Sequence, residues 1–202
     1  MTRPWIRAIP PNEAEGRLKS LYARVAGPQG QVDNILQVHS LRPHTLEGHL
    51  ALYKAVLHHT RNRLPRWLLE ALGVFVSLLN RCEYCVEHHA EGLRCLLDDD
   101  ERARNICSAL ERERPELVFE GRELEALRFA RKLTLDPAGI REGDLEMLRL
   151  AGFDDGEILE VNQVVSYFAY ANRTVLGLGV TSAGDTLGLA PSAADDEDWG
   201  HR

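Results

Sequence analysis

Positive charge is in short supply in this sequence: 24 basic residues stand against 31 acidic ones, a formal charge of −7, and the two signs are interleaved. No cationic stripe exists to neutralise a phosphate backbone, so nucleic acid is not an expected partner. Long apolar runs are missing as well. The opening MTRPWIRAIPPNEAEG has no signal-like apolar core, and no segment approaches the roughly 18 uninterrupted apolar residues of a membrane span, which points to a cytosolic protein with no membrane partner. Cysteines number four, at 82, 85, 95 and 107, too few and too unevenly spaced for a secreted disulfide scaffold. In the cytosol ordinary thiols stay reduced, so any disulfide here is transient. The alternation of a half-buried strand is scarcely found. From Ala183 to Arg202 large apolar residues are few, and such a composition does not offset the entropy of ordering; residues 1–182 are expected to form a single domain and 183–202 a mobile acidic tail.

What is present is helical periodicity, with apolar residues at spacings of three and four almost throughout, so the chain is expected to be an all-α bundle. A first helix starts after Pro10-Pro11 and ends at AGPQG, and NILQVHSL forms a short one. Pro43 opens HTLEGHLALYKAVLHH, whose His44, His49, His58 and His59 are expected on solvated or partly covered faces. Pro65 opens RWLLEALGVFVSLL, apolar on nearly every face and therefore central, with Glu70 as its sole carboxylate. Asn80-Arg81 breaks the run, and a helix opened by C-x-x-C continues to about Leu97. DDDERARNICSAL, residues 121–135, REGDLEMLRLAG and a long apolar DDGEILEVNQVVSYFAYANRTVLGLG complete the set. In the last, Tyr167, Phe168 and Tyr170 are expected to make core or subunit contacts. Cys95 and Cys107 are read as buried small hydrophobes, and Tyr84 and Glu87 as solvent-facing neighbours of the paired cysteines.

Chemistry concentrates in LNRCEYCVEHHAEG, where two cysteines, two histidines and three carboxylates share fourteen positions. A C-x-x-C pair is a disulfide staple, half of a metal site, or a redox couple. On a helix Cys82, Cys85 and His89 share one face, and cysteines three apart in a first turn lie within disulfide reach. Unpaired N–H groups at a helix start near Cys82 would favour thiolate. Were 66–97 one straight helix, Glu70 would lie roughly 22 Å from Cys85. If the helices fold back antiparallel at Asn80-Arg81, rises of roughly 16 and 12 Å bring Glu70 and His89 nearly level. A carboxylate on a buried apolar helix needs a partner. The expected arrangement is a relay of carboxylate, imidazole and thiol: Glu70, His89, Cys85. The competing reading is zinc, held by Cys82, Cys85 and His89 with Cys95 or Cys107, although no second C-x-x-C or H-x-x-x-H is present.

The spacing Glu, eleven residues, C-x-x-C, three residues, His, carried here by Glu70, Cys82, Cys85 and His89, resembles the alkylhydroperoxidase D and carboxymuconolactone decarboxylase family. The likeness extends more loosely over residues 30 to 180, where VDNILQVHSLRP, ALRFARKLTLDP and VVSYFAYANRTVLGLGV resemble its peroxidase-related branch. The resemblance implies an AhpD-like helical fold, assembly as a trimer or hexamer, and thiol-dependent peroxidase activity without a cofactor. It further implies Cys85 as the peroxidatic sulfur and a more exposed Cys82 that resolves it. A dithiol or lipoyl-bearing protein would reduce the pair, attacking at Cys82. One departure is visible: the best-known member has His before its second cysteine, where this chain has Tyr84. The paired cysteines favour redox chemistry over lactone decarboxylation. The rival outside catalysis is a helical binding module whose cysteine pair senses redox state; it would not need Glu70.

Overall fold

The computed structural model describes residues 4–189, and every regular element among them is helical. Three short helices make an N-terminal layer: α1 (Gly16–Val25), α2 (Asn34–Gln37) and α3 (Pro43–Tyr53), with Leu18, Leu21, Val25, Leu36, Leu46 and Leu50 as its own small core. Pro43 occupies the first turn of α3, where a missing N–H costs nothing. The chain leaves α3 through one π-helical turn, Lys54–His58. Six helices follow: α4 (Arg66–Leu79), α5 (Glu83–Leu97), α6 (Asp100–Glu111), α7 (Gly121–Leu135), α8 (Glu142–Leu150) and α9 (Asp155–Leu178).

α4 is the hub. Every residue from Leu68 to Ser77 is buried, because α5, α6, α7 and α9 all pack around it. The all-round apolar pattern of its sequence demanded that position. Its crossing with α9 is close: a Cβ on Gly73 would fall 2.1 Å from Phe168 Cζ, so only glycine lets the two axes approach this far. α9 begins with a capping box, Asp154 accepting from the Glu157 N–H while Glu157 accepts from the Asp154 N–H.

The break at Asn80-Arg81 is a helix-terminating Schellman turn. Cys82 N–H donates to Ser77 C=O at 2.9 Å and Arg81 N–H to Leu78 C=O at 3.0 Å, with Arg81 left-handed at φ 56°. These two bonds satisfy the last carbonyls of α4 and fold α5 back along it. Cys82 is thereby the N-cap of α5.

Several surface expectations are overturned. His49 and His58 are buried, because the π turn and α9 bring Tyr53 and Tyr167 over them: His49 lies against Tyr167 at 5.9 Å and His58 against Tyr53 at 4.7 Å between ring centres. Cys95 is exposed rather than buried and Cys107 is half-covered, since the faces of α5 and α6 that carry them are only partly overlaid. Tyr84 is buried, beneath the segment that follows α9. That segment, residues 183–189, is the start of the expected acidic tail. It lies against the helices, and the remainder of the tail, 190–202, is outside the described residues.

Candidate functional site

Glu70 reaches His89 across the α4–α5 hairpin, with 2.6 Å between Oε2 and Nδ1. A carboxylate only accepts, so Nδ1 carries the shared proton and Nε2 is the nitrogen left for other chemistry. Both side chains are mostly shielded, at 6 % and 14 % exposure, which keeps the pair strong. The edge of Phe168 or of its imidazole neighbour closes the contact, the two ring centres lying 4.6 Å apart at 80°. The near-level placement deduced from helical rise therefore holds at atomic distance.

The two sulfurs are free thiols within an apolar cluster that includes Val38, Val175 and Val180. Cys82 is 0 % exposed and Cys85 2 %, so Cys82 is not the more accessible sulfur, contrary to expectation; the N-cap turn and α9 cover it. The Cys85 thiol is directed at Cys82 and holds the Cys82 thiol below its ordinary value, helped by the Cys85 backbone N–H and the Asn172 amide and opposed by burial. Cys85 correspondingly sits well above its ordinary value, first because it shares its proton with Cys82 and then because it is buried. The sulfur held lower is therefore the N-cap sulfur Cys82, with the neighbouring Cys85 thiol as the largest cause. The groups that shift Cys85 are Cys82 and Asn172; His89 is not among them.

Cys85 and His89 do share a cavity, of about 50 Å³, room for only a few waters. Its lining also includes Glu70, Tyr53, His49 and Tyr167 together with Asp33, Tyr84 and His88. Tyr167 thus lines a pocket as well as packing in the core. Asp33 is buried, and burial lifts its carboxyl to about 6; His88 opposes the lift and Asp185 adds to it. Asp185 accepts from the Tyr84 hydroxyl at 2.8 Å and from the Asn34 backbone N–H at 3.1 Å, and lies 3.3 Å from His88 Nε2 without hydrogen-bond alignment. A larger open groove of about 640 Å³ beside Trp67, Arg102 and Phe119 is lined by no thiol or imidazole. Among the described residues no three His, Cys, Asp or Glu side chains are grouped to hold a metal ion. No helix among them is long and apolar enough to cross a membrane.

No protein-family model matches the chain, and no curated protein matches it in sequence. Solved structures do. An uncharacterized peroxidase-related protein from Silicibacter sp. TM1040 is similar at 25 % identity over 90 % of each chain, with a TM-score of 0.70. An uncharacterized peroxidase-related protein from Ralstonia eutropha JMP134, described as an alkylhydroperoxidase AhpD core, aligns over 98 % of this chain and 96 % of its own at 21 % identity and a TM-score of 0.77. The chain is AhpD-like. A debrominase solved with 2,3,4-tribromopyrrole shares the fold at 15 % identity and a TM-score of 0.63, over 82 % of this chain and 83 % of its own, so AhpD-like structures include an enzyme of different named chemistry.

Within this AhpD-like chain, the structure surrounds the four expected residues with others that the spacing did not reveal. Asn172 is fully buried in α9, donates to Ser77 Oγ at 3.1 Å, accepts from the Asn80 amide at 2.9 Å, and lowers both thiols. Its signal was available: an amide inside an apolar helix is the same oddity that marked Glu70. Asp33 and Asp185 carried no such mark, since each lies in a short polar stretch.

Proposed function

We propose that the chain is a thiol-dependent (hydro)peroxide reductase in which Cys85 attacks, Cys82 resolves, and Glu70 and His89 move the proton. The observation that carries this reading is the sharing of one small cavity by Cys85 and a His89 whose ring is fixed by Glu70. A peroxide in that cavity would touch both groups, which supplies the link that no direct bond makes. The Cys85 proton passes to His89 Nε2, and the thiolate forms an S–O bond with the distal oxygen as the O–O bond breaks. The O–O electron pair leaves on the alkoxide or hydroxide, which takes the proton back from His89 and departs as alcohol or water. Cys85 is then a sulfenic acid, oxidised by two electrons. The Cys82 thiol displaces the hydroxyl, its own proton leaving with that hydroxyl as water, and the pair becomes a disulfide. A dithiol or lipoyl-type protein returns the two electrons by exchange.

The dithiol microenvironment supports the second step. The Cys82 thiol, held below its ordinary value chiefly by Cys85 and also by Asn172, is placed to attack its neighbour once that sulfur is oxidised. Assembly as a trimer or hexamer belongs to the same reading, and exposed Leu150 and Leu159 are candidates for the contact.

Separate Cys85→Ser and Cys82→Ser variants test the proposal with peroxide and excess dithiothreitol. Consumption should vanish in the first and slow sharply in the second, where dithiothreitol has to reach the buried Cys85 sulfenic acid directly. Full turnover in both would remove the mechanism, and stoichiometric consumption by the unsubstituted protein would turn the reading to a redox-sensing binding module. The debrominase likeness favours one second reading, reductive halogen removal by the same dithiol. Bromide release from 2,3,4-tribromopyrrole under the same conditions, exceeding peroxide turnover, would select it.

A further inference from the structure

We propose that residues 181–189 are a substrate-size gate, with Leu189 as a specificity-determining wall and Asp185 as its latch. This deepens the peroxidase reading and rests on it for the identity of the substrate class: hydrogen peroxide and the smallest alkyl hydroperoxides.

Gly188 and Leu189 both line the cavity that Cys85 faces, so this segment is part of the wall between the thiol and solvent. Gly188 lies so close to α5 that a Cβ there would meet Glu91 Cγ at 2.6 Å, in a backbone conformation of φ 74° that disfavours any other residue. At the far side Leu189 reaches the loop at Gly27, where its Cδ1 would lie 3.0 Å from an added Cβ. The segment thus bridges α5 and the loop before α2, across the mouth of the site.

What holds it is chiefly polar. Ala183, Gly184, Thr186 and Leu187 are exposed, whereas the Asp185 side chain is 3 % exposed and bonded to the Tyr84 hydroxyl and the Asn34 backbone N–H. The Asp185 carboxylate, on partners from α2 and α5, is the buried member of a polar set that also has the Asn34 amide donating to the Thr181 and Ala183 carbonyls, Ser182 donating to Glu87 and Gln31 donating to Thr186. Such a segment opens at lower free energy than the helices beneath it. With the wall in place, a cavity of about 50 Å³ admits a peroxide unit and excludes an aromatic or fatty chain.

The test compares oxidation rates by cumene hydroperoxide and by hydrogen peroxide in single turnover, so that reductant access does not enter. Leu189→Ala and Asp185→Ala should each raise the cumene-to-hydrogen-peroxide rate ratio by about tenfold or more, and Leu189→Trp should lower it. Independently of any peroxide chemistry, alkylation of Cys85 by fluorescein maleimide relative to iodoacetamide, located by peptide mapping, should move in the same directions. Ratios unchanged by all three substitutions in the alkylation assay overturn the gate. Absence of peroxide oxidation in every protein overturns the peroxidase reading instead, and the alkylation ratios still decide whether the gate exists. Because Leu189→Ala and Leu189→Trp leave the latch intact, a folding defect in Asp185→Ala does not remove the test.

Discussion

Replacing Glu70 by Gln isolates the charge on the proton relay from its shape. Gln fills the same volume, and its carbonyl oxygen can still accept from His89 Nδ1, now 2.6 Å from Oε2. What is lost is the negative charge beside the imidazole. A hydrogen bond to a charged group contributes about 1.5–3 kcal/mol, and a unit pair with charge centres about 4 Å apart is worth about 4 kcal/mol at an effective dielectric of about 20. Since the neutral bond remains, the proton-bearing imidazolium should lose about 2–3 kcal/mol of stabilisation, which is about a 30- to 150-fold fall in the rate of Cys85 oxidation. Rapid-mixing measurement of single-turnover oxidation by hydrogen peroxide reads that step directly, with trapping of the sulfenic acid as a second readout. The thermal midpoint should move little, because both side chains stay packed and paired. An oxidation rate within about twofold of the unsubstituted protein, in a folded variant, would refute the role assigned to Glu70.

Three further outcomes follow from the same geometry. Asn172→Ala removes an amide that lowers both thiols, so the pH midpoint for iodoacetamide alkylation of the cysteine pair should rise; an unmoved profile would make Asn172 a packing residue only. The Asp33 carboxyl, raised from 3.8 to about 6, binds its proton more tightly folded than unfolded, so its contribution is present below 3.8 and is lost as pH rises through about 6. Asp33→Asn should therefore gain stability relative to the unsubstituted protein by up to about 3 kcal/mol between pH 4 and pH 8, measured by urea unfolding at both; parallel curves would contradict the raised carboxyl. Gly73→Ala would place a methyl 2.1 Å from Phe168 Cζ, and the forced separation of α4 and α9 should cost about 1–3 kcal/mol in the same urea assay.

Much of the fold was legible because helical periodicity is local. Apolar spacing located all the principal helices, Pro43 marked the start of α3, and the unbroken apolar surface of 66–79 marked the hub. The pairing of Glu70 with His89 was legible for a less local reason: once the chain turns at Asn80-Arg81, the fixed rise of a helix sets which residues stand level. The burial of His49, His58 and Tyr84 was not legible. Each is covered by a segment distant in sequence, such as α9 over His49 or residues 183–189 over Tyr84, and amphipathic pattern records only that a face is apolar, not what arrives to cover a polar residue on it. The exposure of Cys95 has the converse cause, a face that no segment overlays.

By itself, then, the sequence determined the helices, the hairpin and the four residues at its centre, since these depend on backbone geometry within 28 consecutive positions from Glu70 to Leu97. Only the tertiary structure decided how the buried thiols are further lowered from outside their own helix and what can reach Cys85. Those properties come from Asn172, Asp33 and Asp185, brought in from remote parts of the chain, and burial and hydrogen bonding around a thiol depend on neighbours in space, whatever their distance along the chain.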